Sequence, residues 1–586
     1  MAKRLDSFVT HYWVCRGECS AFARDRLSKM PSFLRLTSTR FLWGPVALLS
    51  AAACSNATQP PPPPPPSVAT VDVSPPATTM AISTTMQLAA AARDASGTAI
   101  SGAPISWSSE DTNVATVSAT GLVTAVATGQ TSITAASGSV TGTGAVTVAA
   151  PGNATITLQP STTYQTMLGW EATADLGQRD SNTYPFFRDE VFDRLANELG
   201  INRVRAEMHA GTENPVDYYA QWRAGTISEA TWRANRNTVI NDNADPNTIN
   251  PAGFSWGWLD EDITGIVNPL KAKVEANGES LYINLCFVDF GGQNHVLRSD
   301  PDEYAEFVLA NVQHIQATYG WVPNAIELML EPDLAGYSAT HIGRAMVATE
   351  ARLSAAGFTG LDYVAPSTTD AGNAPGYFDT IVSQPGAAGV ISEISYHRYA
   401  GGTSANLQAI ASRAATYNIR TAHLEHIGSG YQDLLADITT GMNSSWAQYT
   451  MAYGLNSNGG TDDGGKYYVV NDANPSSPIV TMGSRTPFLR QYMHYIRRGA
   501  VRIGTSTQSG GLEPVAFINV NGRYVVVVSA SSAQGFTVGG LPGGTYGISY
   551  TTNSQANVDQ ADVTVTSGSP LSATIPAAGV ITIYGK

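Results

Sequence analysis

AIELMLEPD, residues 325–333, decides how this chain is read. Ala325 to Leu330 reads as a buried strand, and it ends by delivering Glu331 to a turn that Pro332 enforces. Immediately upstream, DEYAEFVLANVQHIQATYG (302–320) has helical spacing and closes on Gly320. A helix, a buried strand and an acidic residue at the strand's carboxyl end make one unit of a barrel whose chemistry gathers at that end.

The same alternation continues in both directions. DEVFDRLANELG precedes INRVRAEM (201–208), and DEDITGIVNPLKAKVEANG precedes SLYINLCFVDF (280–290). THIGRAMVATEARLSAAGF precedes LDYVAPSTTD (361–370); GVISEISYHRYAG (389–401), IRTAHLEHIG (419–428) and AQYTMAYGL (447–455) follow. With YQTMLGWEA (164–172) in front, the strands number eight, which predicts an α/β (β/α)8 TIM barrel over residues 153–498. A doubly wound open sheet is the competing arrangement, and no Gly-rich phosphate loop follows the first strand to favour it.

Beyond RTPFLRQYMHYIRRGAVRI (485–503) the texture turns to short β runs such as EPVAFINV, RYVVVVSAS and GVITIYGK. Residues 499–586 are expected to form a C-terminal β-sandwich, joined by the strand ATITLQP (154–160). Residues 68–149 are rich in Thr, Ser, Ala and Val, nearly uncharged, with regularly spaced turn signals, and predict an N-terminal β-sandwich. Pro60 to Pro66 is unbroken proline, so residues 54–67 read as a stiff linker.

MPSFLRLTSTRFLWGPVALLSAAAC, starting at Met30, has a signal-peptide layout: Arg35 and Arg40, an apolar run, then small residues up to Cys54. Residues 1–53 are accordingly expected to be an upstream segment and signal peptide; Met1 as the true start is the alternative. Cys54 after three alanines resembles a bacterial lipoprotein box, and ordinary cleavage near Ala53 is the other reading. The expected location is therefore exported: a cell-surface or outer-membrane lipoprotein, otherwise secreted, touching membrane only through that anchor. Formal net charge is −14, and without a basic stripe nucleic acid is not an expected partner. Of four cysteines, Cys15 and Cys19 fall in the upstream segment and Cys286 reads as a core thiol, so no disulfide framework is implied. A monomer is expected.

Strands four and seven lie on opposite sides of a barrel mouth, so Glu331 and Glu425 can face each other across a bound group. Two carboxylates about 5–5.5 Å apart serve double-displacement glycoside hydrolysis, one as proton donor and the other as nucleophile. His397 is expected to line the pocket. Trp170, Trp256 and Trp258 are candidate sugar platforms, with core packing as the alternative for each. HLEH (423–426) invites a metal reading, but His423 and His426, three apart in a strand, point to opposite faces, so neither a metal nor any other cofactor is expected. GGTDDGG (459–465) reads as a lid or solvated turn ahead of a calcium loop. No Gly-x-Ser-x-Gly elbow is present to support acyl transfer.

Two resemblances sharpen these expectations. WSSEDTNVATVSATGLVTAVATGQTSITA (107–135) resembles the bacterial Ig-like group 2 domain, which implies a spacer or adhesive module. The Glu331-Pro332 strand end, Glu425 and YHRY (396–399) are similar to the clan A glycoside hydrolases. LGWEA (168–172) and RRGAVRI (497–503), ahead of the sandwich, make family 30 the best match within that clan. The resemblance implies Glu331 as acid/base, Glu425 as nucleophile, Arg205 beside the nucleophile and Tyr399 hydrogen-bonded to it. It implies an exported retaining O-glycosyl hydrolase acting on a poly- or oligosaccharide. The clan usually has Asn before the acid/base; here stands Leu330. A substitute partner for the sugar 2-hydroxyl is then expected from Glu171, His209 or His397. The alternative is a catalytically dead barrel that binds carbohydrate or acts in adhesion.

Overall fold

The computed structural model describes residues 67–586 apart from 83, 150–153, 178–180, 293, 455–461, 463 and 508–510. The expectations for the signal segment, Cys54 and the proline linker lie outside the described residues, as does most of the 459–465 loop. Within that loop Asp462 is described, and its carboxylate accepts from the Ser484 amide at 2.6 Å. No helix of the described residues is long and apolar enough to cross a membrane.

The chain divides into two units, residues 1–149 and 150–586. The first contains the Ig-like β-sandwich. Its four-stranded sheet runs in the order Ala77–Ala81, Val140–Ala149, Gly129–Ser137, Ser106–Ser109. Thr131, Ile133, Ala135 and Ser137 are buried while their neighbours are less so, the period of a strand with one face on a core. Val123, Leu88 and Val146 complete that core. Gly121 turns with φ +84°, and a Cβ there would meet the Trp107 ring at 2.8 Å, so both its conformation and its space require glycine.

The second unit holds the barrel. Its parallel strands are β1 (Gly169–Leu176), β2 (Arg203–His209), β3 (Tyr282–Val288), β4 (Ala325–Glu327), β5 (Asp362–Asp370), β6 (Glu393–Ala400), β7 (Arg420–Glu425) and β8 (Asn443–Gly454). Each pairs with the next, and β1 pairs with β8, Gly169 opposite Ser445, so the sheet closes and the open doubly wound arrangement is excluded. Helices pack outside. Pro301–Tyr319 shows why such segments form: Asp300 caps its first turn, Pro301 suits the first helical position, and Gly320 ends it with φ 75°. Its Phe307, Val308, Val312 and Ile315 are buried in the layer beneath.

Strand parity sorts the side chains. On β2, Val204, Ala206 and Met208 join the apolar layer under the helices, while Arg203, Arg205 and Glu207 take the other face. There Arg203 meets Glu171 of β1, Glu393 of β6 at 2.8 Å and Ser445 of β8 at 2.8 Å. Asn284 of β3 donates to Glu327 of β4 at 2.6 Å. The barrel floor is thus ion-paired, and such pairs hold a buried charge only while every partner is present.

Strand four is shorter than its apolar run implies. The β4 ladder covers three residues. Single bonds then guide the chain: Leu328 N to Val364 O, Leu330 N to Phe287 O and Glu331 N to Ser367 O, at 3.0, 2.9 and 3.0 Å. Switching between neighbours on either side leaves the backbone free to turn sharply at Glu331.

The C-terminal sandwich strands form one nine-stranded arrangement, and Ala154–Thr166 lies inside it. This strand runs antiparallel to Val501–Thr507 and parallel to Gln534–Gly539. It is longer than the expected 154–160 and leads directly toward β1.

Candidate active site

Glu331 stands at the N-terminus of the short helix Pro332–Ala335 with φ 51° and ψ 56°. A non-glycine residue there stores about 1–2 kcal/mol of backbone strain. The turn is held by Asp333, whose carboxylate accepts from Thr369 N at 2.8 Å and Asn373 Nδ2 at 2.9 Å. The apolar strand therefore ends in a proline-fixed, side-chain-anchored turn that leaves Glu331 one orientation.

Glu425 closes β7. Arg205 Nη2 donates to its Oε2 at 2.6 Å, and the Tyr399 hydroxyl to its Oε1 at 2.9 Å. Glu331 Oε1 meets His397 Nδ1 at 2.8 Å, and its Oε2 has no hydrogen-bond partner. Glu331 and Glu425 are each 1% exposed. An oxygen of each and a His397 ring nitrogen all lie within 4.8 Å of one another.

The charges are arranged unequally. Burial raises the Glu331 carboxyl and the Glu425 charge adds to that, while His397 pulls it back without cancelling the rise. Burial pulls the His397 imidazole down, but the Glu425 and Glu331 carboxylates outweigh it and raise it. Burial also works against the Arg205 guanidinium, and Glu425 and Glu207 more than restore it. One glutamate is thus suited to hold a proton; the other sits against a fixed cation. Two carboxylates and an imidazole also form a possible metal ligand set, but the Arg205 guanidinium already occupies Glu425.

Glu207 and Asp289 were missed in the sequence. Glu207 accepts from Arg205 at 3.3 Å and lies 3.6 Å from His209 Nε2. Burial pushes its carboxyl up to about 7 against the pull of Arg205. Its signal was available, since it stands two residues beyond Arg205 on the same strand. Asp289, just past β3, receives His295, Arg298 and Tyr337 at 3.0, 2.9 and 2.7 Å and ties the β3 loop to the loop after β4.

The structure thus brings together Glu331, Glu425, Arg205, Tyr399 and His397. Trp170 is a correction: parity puts it outside the barrel, 1% exposed, its indole donating to Ile496 O at 2.7 Å, with no face left for a sugar. Glu171 is another. It points inward but is wholly buried on Arg203, where burial pushes it up to about 7, so it does not serve the Leu330 position. Trp256 is half-buried and stacks on His314 at 4.1 Å in the helical layer, where that face is taken. Trp258 stacks on His209 at 3.5 Å, and both line a cleft with Tyr218, Trp232 and Arg236. About 20 Å³ of that cleft admits the centre of a water molecule. Leu330 packs with Cys286, Val288 and Phe290, an apolar patch beside Glu331. His423 faces Tyr396 and Trp446, while His426 turns to Ser429 and Tyr399, so the two histidines diverge.

Residues 67–142 match the family model of the bacterial Ig-like domain (group 2), and residues 499–583 that of the glycosyl hydrolase family 30 beta sandwich domain. Comparison with curated proteins gives no match. Among solved structures, the chain is similar to the catalytic domain of the GH30 xylanase C from Talaromyces cellulolyticus: TM-score 0.54, 16% identity, 74% of this chain and 100% of that one. It is similar to the family 30 subfamily 8 xylanase from Clostridium acetobutylicum, with TM-score 0.53, 16% identity, and 74% and 99% coverage. An endo-beta1,6-glucanase aligns with TM-score 0.51 and 15% identity over 75% and 96%. At these identities the likeness to solved structures shows the fold, a closed barrel with a β-sandwich, while the two family models match the sandwich to that of family 30 and the N-terminal domain to the group 2 Ig-like domain.

Proposed function

We propose that this protein is a retaining glycoside hydrolase acting on a poly- or oligosaccharide, with Glu331 as acid/base and Glu425 as nucleophile. The observation that carries the reading is the pair itself. Two buried carboxylates approach within 4.8 Å, one with an unbonded oxygen, the other against Arg205 and Tyr399. Inverting enzymes need about 6.5–9.5 Å to admit water between the carboxyls; direct attack needs the shorter gap.

Glu331 gives its proton to the leaving glycosidic oxygen while a Glu425 oxygen bonds to the anomeric carbon and the glycosidic bond breaks. Glu331, now ionised and held by His397, takes a proton from water, and that water displaces Glu425. Arg205 and Tyr399 stabilise Glu425 as the carboxylate that attacks and that leaves. Two of the similar structures are of xylanases and a third is of a glucanase, which supports a polysaccharide substrate. The sequence before Cys54 supports export, with a lipid anchor at Cys54, and the chain would work as a monomer.

A second reading has one observation behind it. The apolar patch at Leu330 stands where a polar partner of the 2-hydroxyl would be expected, which suits a barrel that binds glycans without cleaving them. A glycan-library hydrolysis screen with Glu331→Gln and Glu425→Gln controls decides between the two. Cleavage by the wild type alone, with a fluorosugar labelling Glu425, is the expected result. Binding without cleavage gives the protein to the second reading, and labelling elsewhere on an active enzyme removes Glu425 from its role.

A further inference from the structure

Between β2 and the helix Gly257–Asp262 the chain makes a long excursion that carries the Tyr218–Trp232 side of the cleft beside His209. Its segment INDNADPNTIN (240–250) is crowded with side-chain oxygens. Where it meets the helix Pro301–Tyr319, three glutamates are buried: Glu213 and Glu306 at 2% exposure, Glu303 at 6%. The Asp242 amide donates to Glu213 Oε1 at 3.1 Å, and Asn241 Nδ2 donates to Glu303 Oε1 at 3.3 Å, so loop and helix share the site.

What the site lacks, among the described residues, is a cation bonded to its carboxylates: Arg352 lowers Glu303 and Glu306 without cancelling their rise and forms no ion pair with either. Neither oxygen of Glu306 has a hydrogen-bond partner, nor do Glu213 Oε2 and Asn241 Oδ1. The nearby Arg352 donates instead to the Asp302 carbonyl, at 3.1 Å. Burial pushes Glu213 up to about 8 and Glu306 up to about 7, with Asp242 and Glu303 adding to both. Buried carboxylates of this kind are paired, protonated or bound to metal, because leaving them charged and bare costs several kcal/mol.

We propose that Glu213, Glu303, Glu306, Asp242 and the Asn241 amide oxygen bind a calcium ion that pins the excursion to the helix. The donors are all oxygen, which selects a hard cation. No three of these carboxylates bring oxygens within 4.8 Å of one another, so the ligands draw inward as the ion enters. That adjustment suits calcium, which accepts six to eight oxygens in flexible geometry, over magnesium, which demands a tight octahedron.

The test uses the full chain stripped with a chelator and titrated with CaCl2 at pH 7, read by calorimetric binding and by melting temperature. The expected result is one ion per chain and a rise in Tm of about 3 °C when calcium stands at about 100 times its Kd. Glu306→Gln and Glu213→Gln should each remove most of the binding heat and of the Tm rise. Without calcium, Glu306→Gln should melt above the wild type, because it deletes one of the repelling charges. Absence of binding by the folded wild type overturns the proposal and leaves protons as what neutralises the site. Binding that survives both substitutions overturns it as well, placing the ion elsewhere.

Discussion

Replacing Arg205 with methionine removes the guanidinium while keeping most of the side chain's length and bulk. In the wild type, both members of the 2.6 Å pair with Glu425 are 1% exposed. Deleting one member of such a buried pair costs about 3–5 kcal/mol, because the other charge is left without its counter-ion. Each 1.36 kcal/mol is tenfold in a rate, so losing the guanidinium that steadies the Glu425 carboxylate should slow the reaction by roughly 100-fold or more. At neutral pH, kcat/KM should fall by at least that factor. Arg205→Lys should recover part of the loss through a point charge without the fork. The assay is kcat/KM at neutral pH on the glycan identified by the library screen, with circular dichroism to establish that each variant is folded. A folded Arg205→Met protein with wild-type activity refutes the reasoning.

Leu330→Asn puts an amide into the patch of Cys286, Val288 and Phe290. It should cost about 1–3 kcal/mol in urea denaturation, and an unchanged midpoint would show that the amide finds a partner there. Stability should also fall from pH 5 to pH 8 in calcium-free buffer. Glu171 and Glu207 are raised from 4.5 to about 7, and Glu213 to about 8. The folded state therefore holds protons that the unfolded chain releases above 4.5, and the stability they contribute disappears as pH climbs through 7 and 8. Glu213→Gln should flatten the upper part of that decline in a Tm-against-pH series. Asp289 has the opposite sign: burial would raise it, but bonds from His295, Arg298 and Tyr337 outweigh that and hold it below the ordinary range. Its contribution is lost only in acid, and Asp289→Asn should lower Tm at neutral pH more than at pH 3.

The barrel was legible because each strand had its own apolar run and its own helix upstream, so local pattern and global fold agreed. Glu331 and Glu425 could be named because a strand's carboxyl end is a position that sequence marks, through Pro332 and the change in hydrophobicity, whereas Arg205 and Tyr399 came only from the resemblance to the clan A glycoside hydrolases. Trp170 was misjudged on parity: adjacent strand residues point oppositely, and placing Glu171 inside already placed Trp170 outside. Glu207 needed only the same rule applied once more. The acidic site of Glu213, Glu303 and Glu306 was of a different kind. Its members come from a loop and a helix far apart in the chain, and nothing local in either segment says that they meet. The three-residue length of β4 was equally invisible, since its apolar run continues after the ladder stops.

The strand Ala154–Thr166 lies at the start of the second unit, yet its partners Val501–Thr507 and Gln534–Gly539 are made near the end of that unit. During synthesis on a ribosome, that strand emerges before anything it can pair with. It must stay unpaired until almost the whole unit exists, and closing so long a loop is an entropic cost met late in folding. A fragment beginning at residue 499 would lack an interior strand and bare two backbone edges, which are templates for aggregation. The sandwich is therefore a clasp that the two ends of the unit fasten together, and trimming either end should leave it unable to close.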